Sequence, residues 1–308
     1  MGVYPEKIER VIGWLNLNDE EKRAIRELSK EIVEKMDEIL PRVGKPQELY
    51  DAARHLIGRG KLLRGLLVML INRVYGHRNK ERALKLATAI ELLHTASLIH
   101  DDIIDGAKMR RGVEAVHKKF GVNTAIVATD LLISIAYNIS SELGERVIKA
   151  VSDAGRRMSE GEVLEGILEE PGLNDYLKVI DGKSAALIEA ACLGAAVISG
   201  APEDEIRAFA SYGKHIGYAL QIGDDILDYV GTEDLTGKTN PILSCFKRAN
   251  IVEILMNDHK IPLKKAIFKA YEIGEKMAKR AIDELSWLDP EKREIFEEFT
   301  RIILKRPF

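Results

Sequence analysis

Two short stretches of the chain share one pattern: SLIHDDIID at residues 97–105 and ALQIGDDILD at residues 219–228. Each places two adjacent aspartates, and a third aspartate three residues further on, at the end of an apolar run. On a helix, positions i and i+4 share one face, and position i+1 lies about 100° round. Each triplet is therefore predicted to direct its carboxylates into one sector near the C-terminal end of a helix.

Such a concentration of carboxylates is unfavourable unless a cation compensates it. Aspartate is a poor helix former, like charges at i and i+4 repel, and the C-terminal end of a helix disfavours anions. Solvated helix ends would explain one such cluster, but two matching clusters on apolar helices favour a metal site. Oxygen ligands of this kind suit Mg²⁺ held together with substrate phosphates. The six predicted ligands are Asp101, Asp102, Asp105, Asp224, Asp225 and Asp228.

The rest of the chain shows helical periodicity, as in Ile25, Leu28, Ile32 and Met36, and no segment alternates as a strand. Gly and Pro interrupt the helical stretches at intervals that indicate about ten to twelve helices. Neither a polar linker nor a shift in composition separates two cores. The prediction is an all-α protein with one domain over residues 1–308.

Composition excludes several classes of protein. Apolar residues make up 46% and charged residues 31%, so a folded core is expected. The formal net charge of −3 provides no field for nucleic acid. Two cysteines, Cys192 and Cys245, form no CxxC pair and suit a reducing cytoplasm. The run from Ala185 to Ser199 is too short to span a bilayer, and the N-terminus lacks a signal-peptide core, so no stable membrane insertion is expected.

Beyond the two aspartate motifs, further segments are similar to a known family. ELLHTASLIHDDIIDGAKMRRG resembles the first aspartate-rich motif, with its arginine pair, of the all-trans isoprenyl diphosphate synthases, also called the polyprenyl synthetase family. YALQIGDDILDYVG resembles the second motif. GKLLR at residues 60–64 resembles the family's GKRxRP, and DGKSAALIEAA around Lys183 resembles its Lys-Thr segment. The four motifs occur in the family's order.

The resemblance implies a helical bundle of the isoprenoid synthase type with a central prenyl channel, and a reaction without a protein nucleophile. An allylic diphosphate ionises, isopentenyl diphosphate attacks the carbocation, and a proton is lost. Fixed positive charge around the leaving diphosphate, in a cavity that excludes water, lowers that barrier. By resemblance, three Mg²⁺ ions bridge the six aspartates and the allylic diphosphate. Arg110, Lys183 and Lys238 match positions that contact the same diphosphate, and Gln221 matches a position that orients the allylic chain or its water.

The second substrate, isopentenyl diphosphate, requires its own anion site. The family's pocket for it matches Gly60, Lys61, Arg64, His94 and Arg111. Two positions depart from the family pattern, because Leu62 stands in place of an arginine and Gly65 in place of a proline. One positive group is thus lost, and Leu62→Arg is expected to tighten isopentenyl binding unless another cation compensates. The loop after Asp228 is also shorter than in the family and lacks a second lysine.

Positions 96 and 97 bear on product length. In the family, the residues four and five places before the first aspartate motif face the channel, and an aromatic side chain there stops elongation early. Ser97 and Ala96 are small, which favours geranylgeranyl diphosphate, with a longer polyprenyl product as the alternative. Ala96→Phe is expected to shorten the product.

Two other functional classes fit these motifs less well. A class I terpene cyclase would not need a second diphosphate pocket, and a non-catalytic partner subunit would not need all six aspartates. The family also implies a homodimer.

Overall fold

The computed structural model describes residues 6–41, 44–230 and 249–304. These residues contain fourteen α-helices, one π-helical turn and one two-stranded hairpin. The all-α prediction is confirmed. The count exceeds the predicted ten to twelve because helices as short as five residues show no readable period. The described chain divides into two compact units, residues 6–41, 44–151 and Gly194–Ala201 in the first, and Ser152–Leu193, 202–230 and 249–304 in the second. The single domain over residues 1–308 remains a prediction.

The elements in chain order are α1 Glu6–Trp14, α2 Asp19–Ile39, α3 Gln47–Arg54, α4 Leu63–Val74, α5 Lys80–Ile104, β1 Met109–Arg110, β2 Val113–Glu114, α6 Val116–Phe120, α7 Val122–Glu142, α8 Glu145–Ile167, α9 Leu173–Ile180, the π-helical turn Asp181–Ala185, α10 Ala186–Ile198, α11 Glu203–Val230, α12 Ile251–His259, α13 Leu263–Glu284 and α14 Pro290–Leu304.

The core of the first unit surrounds α5, which packs on α2, α4 and α7. Side chains on several sides of α5 are buried, among them Leu86, Ile90 and Ile99, each with no exposed surface. Burial of each such side chain stabilises the fold by roughly 1.5–3 kcal/mol. The predicted periodicity of α2 is also confirmed, and its N-cap Asn18 accepts a hydrogen bond from the amide of Glu21 at 2.9 Å. The first aspartate motif therefore stands at the end of a rigid, central helix.

The core of the second unit lies where α11 packs on α13 and α14. Phe209 and Tyr212 of α11 both contact the ring of Phe296, with centroids 5.8 and 5.6 Å apart. Glycines bring α11 close to a second neighbour, because a Cβ at Gly217 would lie 2.4 Å from the Cα of Ala185 in the π-helical turn. This close backbone packing holds α11 in place. The second aspartate motif lies near the C-terminal end of that helix.

One described helix, α7, is long and apolar enough to cross a membrane, with a mean hydropathy of 1.4 over its most apolar window. Only 33% of that window is buried. The run Ala185–Ser199, the one singled out from the sequence as too short to span a bilayer, is mostly buried.

Candidate functional site in two units

The first aspartate motif lies where α5 ends. Asp101 and Asp102 belong to the last turn, and Asp105 caps the helix. Gly106 follows with a φ of +65°, and the amides of Gly106 and Ala107 donate to the carbonyls of Ile103 and Asp102. This is a Schellman motif, which needs a residue of left-handed conformation, for which glycine is best suited. The motif stops the helix directly after the aspartates and leaves Asp101 and Asp105 partly exposed, one turn apart.

Asp102 has a different environment from the aspartates on either side of it. Its side chain has no exposed surface, and its Oδ1 accepts hydrogen bonds from Nε of Arg110, at 2.7 Å, and from Nη2 of the same guanidinium. Burial raises the pKa of Asp102, although the ion pair with Arg110 opposes that change. Oδ2 has no hydrogen-bond partner among the described residues. Arg110, predicted to contact the allylic diphosphate, here holds the middle aspartate of the motif.

The two arginines of the motif are separated by a tight turn. Strands β1 and β2 pair Arg110 with Val113, so Arg111 and Gly112 form the turn between them. Both have positive φ, +53° and +79°, as a type I′ hairpin requires. Left-handed backbone at a residue other than glycine costs roughly 1–2 kcal/mol. The turn directs Arg111 away from Arg110 and onto the carbonyl of Leu56, to which its Nη1 donates at 2.9 Å.

Arg111 lies against the GKLLR segment, as the resemblance predicts for the second anion site. A Cβ at Gly60 would lie 2.8 Å from Cζ of Arg111, so the guanidinium needs a glycine there. Burial lowers the pKa of Arg111 to about 10, and the nearby Glu91 opposes this shift. The pKa of His94 lies well below its ordinary value, because of burial first and then because of Arg64, Arg111 and Arg110. His94 is therefore a neutral imidazole at pH 7, beside guanidiniums that can bind phosphate.

Glu91 is a member of this site that the sequence interpretation missed. It is 2% exposed, and its Oε1 accepts a hydrogen bond from the amide of Gly65 at 2.8 Å. Burial raises its pKa, which Gly65, Arg64 and Arg111 oppose. The sequence feature that could have identified Glu91 is an acidic residue within an apolar helix, three residues before His94. A proline at position 65 would have no amide to donate, so Gly65 gives this chain a contact that the family pattern lacks.

In the second unit, Asp224, Asp225 and Asp228 repeat the arrangement of the first motif. Asp224 and Asp228 are partly exposed, whereas Asp225 is 4% exposed. Oδ1 of Asp225 accepts from Nε2 of Gln221 at 2.8 Å, and Oδ2 accepts from the amide of Ile251 at 3.1 Å. Burial raises the pKa of Asp225 to about 7, against these hydrogen bonds. The middle aspartate therefore fastens the start of α12 to α11.

Gln221 extends this arrangement by one more hydrogen bond. Ser184 donates through its hydroxyl to Oε1 of Gln221 at 2.6 Å, while Nε2 donates to Asp225. The two ends of the amide thus join the π-helical turn to the second motif. That Gln221 orients the allylic chain stays a prediction. The hydrogen bonds that the structure shows for its side chain are with Ser184 and Asp225.

Lys183 lies in the π-helical turn itself. Its Nζ is 2.6 Å from Oε2 of both Glu162 and Glu165 on α8. The turn approaches α8 closely, since a Cβ at Gly161 would lie 2.7 Å from the amide nitrogen of Lys183. These two acids were also missed by sequence reasoning. They hold the ammonium group in a defined place within the second unit.

Four other predicted positions remain. Lys238 lies outside the described residues, as does the shortened loop around it. Ser97, one turn before Asp101, is partly exposed and donates to the carbonyl of His94 at 2.9 Å. Ala96 is 1% exposed and, on an ideal helix, lies about 140° round from Asp101. Lys61 lies with its Nζ 6.0 Å from the centroid of the Trp14 ring.

The partly exposed carboxylates of the two aspartate motifs suit a metal that takes few protein ligands. Within residues 6–41, 44–230 and 249–304, no cluster of three or more His, Cys, Asp or Glu side chains could hold a metal ion alone. Mg²⁺ commonly binds one or two carboxylates and completes its octahedron with water and substrate phosphates. Each motif presents one such pair at i and i+4, all oxygen donors, so these residues fit Mg²⁺.

A helical protein with two such motifs and a separate cationic site belongs to the class of all-α trans-prenyltransferases. The family model of the polyprenyl synthetases matches residues 46–272, and the chain belongs to this family. A geranylgeranyl diphosphate synthase from Methanosarcina mazei is 36% identical over 70% of this chain and 68% of its own length. One from Sulfolobus acidocaldarius is 32% identical over 83% of this chain and 90% of its own. The crystal structure of geranylgeranyl pyrophosphate synthetase from Pyrococcus horikoshii has a TM-score of 0.78 and 30% identity, covering 98% of this chain and 100% of that one.

Proposed function

We propose that the chain is a Mg²⁺-dependent synthase that condenses isopentenyl diphosphate with allylic diphosphates, with geranylgeranyl diphosphate as its main product. The observation that carries this proposal is the shared arrangement of the two aspartate motifs. In each, a buried middle aspartate is held by protein donors, and the outer two remain partly exposed. Asp101, Asp105, Asp224 and Asp228 are the proposed Mg²⁺ ligands, whereas Asp102 and Asp225 position them.

In this proposal, bound Mg²⁺ supplies Lewis acidity and a template for the allylic diphosphate. Arg110 and Lys183 add positive charge near the leaving group. The cationic side chains of Arg64, Arg111 and Lys61 bind the diphosphate of isopentenyl diphosphate, and neutral His94 donates a ring N–H to it. The C–O bond to diphosphate breaks, and the double bond of isopentenyl diphosphate then forms a C–C bond to the allylic carbocation. The released diphosphate takes the proton, so no side chain is needed as a base.

The function is tested with radiolabelled isopentenyl diphosphate, an allylic diphosphate and Mg²⁺, followed by chromatography of the products. A labelled twenty-carbon product that disappears on addition of EDTA is the expected result. No product with any allylic primer would instead support the non-catalytic partner subunit. A labelled product longer than twenty carbons would support the alternative of a longer polyprenyl diphosphate.

The two diphosphates are expected to depend on different cations. Arg64→Ala should raise KM for isopentenyl diphosphate by on the order of tenfold or more, because a guanidinium–phosphate contact is lost. Lys183→Ala should chiefly impair use of the allylic substrate. Steady-state kinetics with each substrate varied in turn measures both effects. Equal effects of both variants on the same substrate would contradict the assignment of two anion sites.

Product length is expected to depend on Ser97 more directly than on Ala96. Ser97 is partly exposed one turn before Asp101, so Ser97→Phe adds a ring on that face and should shorten the product to farnesyl diphosphate or less. Ala96 is buried, and Ala96→Phe should overpack its site at a cost of roughly 1–3 kcal/mol. Product chromatography and thermal unfolding of both variants check this. An active Ser97→Phe enzyme with unchanged products would show that position 97 does not line the channel.

We also propose a cytoplasmic homodimer, in which the apolar surface of α7 is covered by a second copy. Val122, Ile126 and Val127 are 46, 43 and 50% exposed, so this helix presents several apolar side chains to solvent. A C2 dimer is the commonest way to cover such a face. Sedimentation equilibrium should give twice the 34.5 kDa of one chain. A monomer that binds vesicles would instead favour a membrane surface.

A further inference from the structure

Asp181 begins the π-helical turn and connects it to two other helices of the second unit. Oδ2 of its carboxylate lies 2.8 Å from Nη2 of Arg157 on α8. Oδ1 lies 2.9 Å from Nζ of Lys214 on α11, and it also accepts a hydrogen bond from the hydroxyl of Tyr218, one turn further along the same helix. Both oxygens of the carboxylate are therefore engaged by donors from two helices.

The charges of this cluster balance. Nη1 of Arg157 donates to Oε2 of Glu189 on α10 at 2.9 Å, so the two cations Arg157 and Lys214 face two carboxylates. Burial would raise the pKa of Asp181, but the hydrogen bonds and positive charges of these neighbours lower it, so its side chain is a carboxylate at pH 7. Charge-assisted hydrogen bonds are shorter and stronger than neutral ones. The cluster therefore gives the turn directional contacts with α8, α10 and α11.

Arg157 also binds the backbone of the turn. Its Nη2 donates to the carbonyl oxygen of Asp181 at 3.3 Å, and the same carbonyl accepts a hydrogen bond from the amide of Ala186. The second of these bonds spans five residues, which is the hydrogen bond of a π-helix. The turn also packs closely on α8, because a Cβ at Gly182 would lie 2.5 Å from the carbonyl oxygen of Arg157. Side-chain and backbone contacts thus hold the turn together.

The next residues of the turn belong to the proposed allylic site. Lys183 follows Asp181 by two residues, and its ammonium group lies between two glutamates of α8. Ser184 donates to Gln221, which in turn donates to the second aspartate motif. Single π-helical turns of this kind occur frequently at functional sites. Because so short a stretch of backbone separates Asp181 from Lys183, a movement of the turn at Asp181 carries Lys183 with it.

We infer that Asp181 is a positioning residue for Lys183: by binding donors on α8 and α11, it fixes the π-helical turn and with it the ammonium group that binds the allylic diphosphate. This inference rests on the proposed function, which assigns Lys183 to that diphosphate. Asp181 acts through Lys183, so removing Asp181 should matter to the reaction only while Lys183 is present.

The test is a double-mutant cycle on the purified full chain, with KM for the allylic substrate measured at saturating isopentenyl diphosphate. Asp181→Ala alone should raise this KM roughly tenfold, as the loss of one charge-assisted contact implies, and leave KM for isopentenyl diphosphate unchanged. In the Lys183→Ala background, the same substitution should raise it by less than about twofold, because the group that Asp181 positions is already absent. Equal factors in the two backgrounds, or no effect of Asp181→Ala alone, would overturn the inference.

Asp175→Ala is the matched control, because Asp175 is an aspartate of α9 in the same unit that pairs with Lys178 at 3.0 Å, outside the turn. It should leave both KM values within about twofold of the natural ones. Hydrogen exchange gives a readout that needs no substrate: a peptide covering residues 181–186 should exchange at least about tenfold faster in Asp181→Ala, and not in Asp175→Ala. Unchanged exchange in Asp181→Ala, or the same rise in allylic KM in Asp175→Ala, also contradicts the inference.

Thermal unfolding shows whether Asp181→Ala is folded at the assay temperature. If it is not, Tyr218→Phe takes its place in the cycle, because it removes one hydrogen bond to Asp181 and keeps the ring. Its expected effect on the allylic KM is smaller, about threefold, and should likewise disappear in the Lys183→Ala background. A threefold effect that persists there would overturn the inference.

The activity of the natural chain separates this inference from the proposed function. If the natural chain forms product and the effects of the two substitutions are additive, the inference is wrong and the proposed function stands. If the natural chain forms no product with any allylic primer, the proposed function itself fails, and the inference that rests on it fails with it.

Discussion

Asp101→Ala and Asp224→Ala should each lower kcat by on the order of a hundredfold or more, because each removes a proposed Mg²⁺ ligand from the place where charge develops on the departing diphosphate. Both side chains are partly exposed on their helices, and their loss relieves repulsion from Asp105 or Asp228 one turn away. The folded protein should therefore be at least as stable as before. Single-turnover rates at saturating Mg²⁺, measured beside thermal unfolding, report both quantities.

Asp204→Ala is the matched control for this loss of turnover. Asp204 lies on α11, as Asp224 does, but it is exposed in the first turn of the helix. Its removal should change kcat by less than about twofold, since surface substitutions away from a site usually cost within about 0.5 kcal/mol. Near-normal turnover in both Asp101→Ala and Asp224→Ala would contradict the metal assignment.

Asp225→Ala should have its largest effect on stability, in contrast to Asp224→Ala beside it. Asp225 accepts from the part-buried Gln221 and from the buried amide of Ile251, and both donors would lose their partner. A buried unsatisfied group costs about 1–3 kcal/mol, and the part-buried Gln221 adds less than that, so a total of roughly 1–4 kcal/mol is expected. For domains of 150–250 residues, each kcal/mol corresponds to about 2–4 °C in the unfolding midpoint.

Asp225→Asn is the informative companion variant. Asparagine keeps one oxygen acceptor and carries no charge, and burial already raises the pKa of Asp225 to about 7. Its stability should therefore lie between those of Asp225→Ala and the natural chain. Calorimetric scans of the three variants at one pH measure the order. Equal midpoints for Asp224→Ala and Asp225→Ala would show that Asp225 does not hold α12.

The helices and the two aspartate motifs could be predicted from patterns within short stretches of sequence. Periodicity and Gly/Pro spacing predicted the helices, because a helix buries one regularly spaced set of side chains whatever it packs against. The identical spacing of the two aspartate triplets predicted carboxylates at i and i+4, because that geometry belongs to the helix alone. The hairpin was not predicted, since two residues per strand are too few to show alternation.

Tertiary structure decided which aspartate of each motif is buried and which is partly exposed. Asp101 and Asp102 are the same residue type in adjacent positions, and only the packing of Arg110 against one of them separates a buried anchor from a partly exposed, proposed metal ligand. Glu91 belongs to no motif, because its place in the site depends on the amide of Gly65, 26 residues away along the chain. Sequence alone determined the helical fold, the family and the carboxylate pairs, all of which are set by spacing along one helix or by contiguous motifs. Burial and ion pairing depend on contacts between distant segments, and therefore only the folded chain determined them.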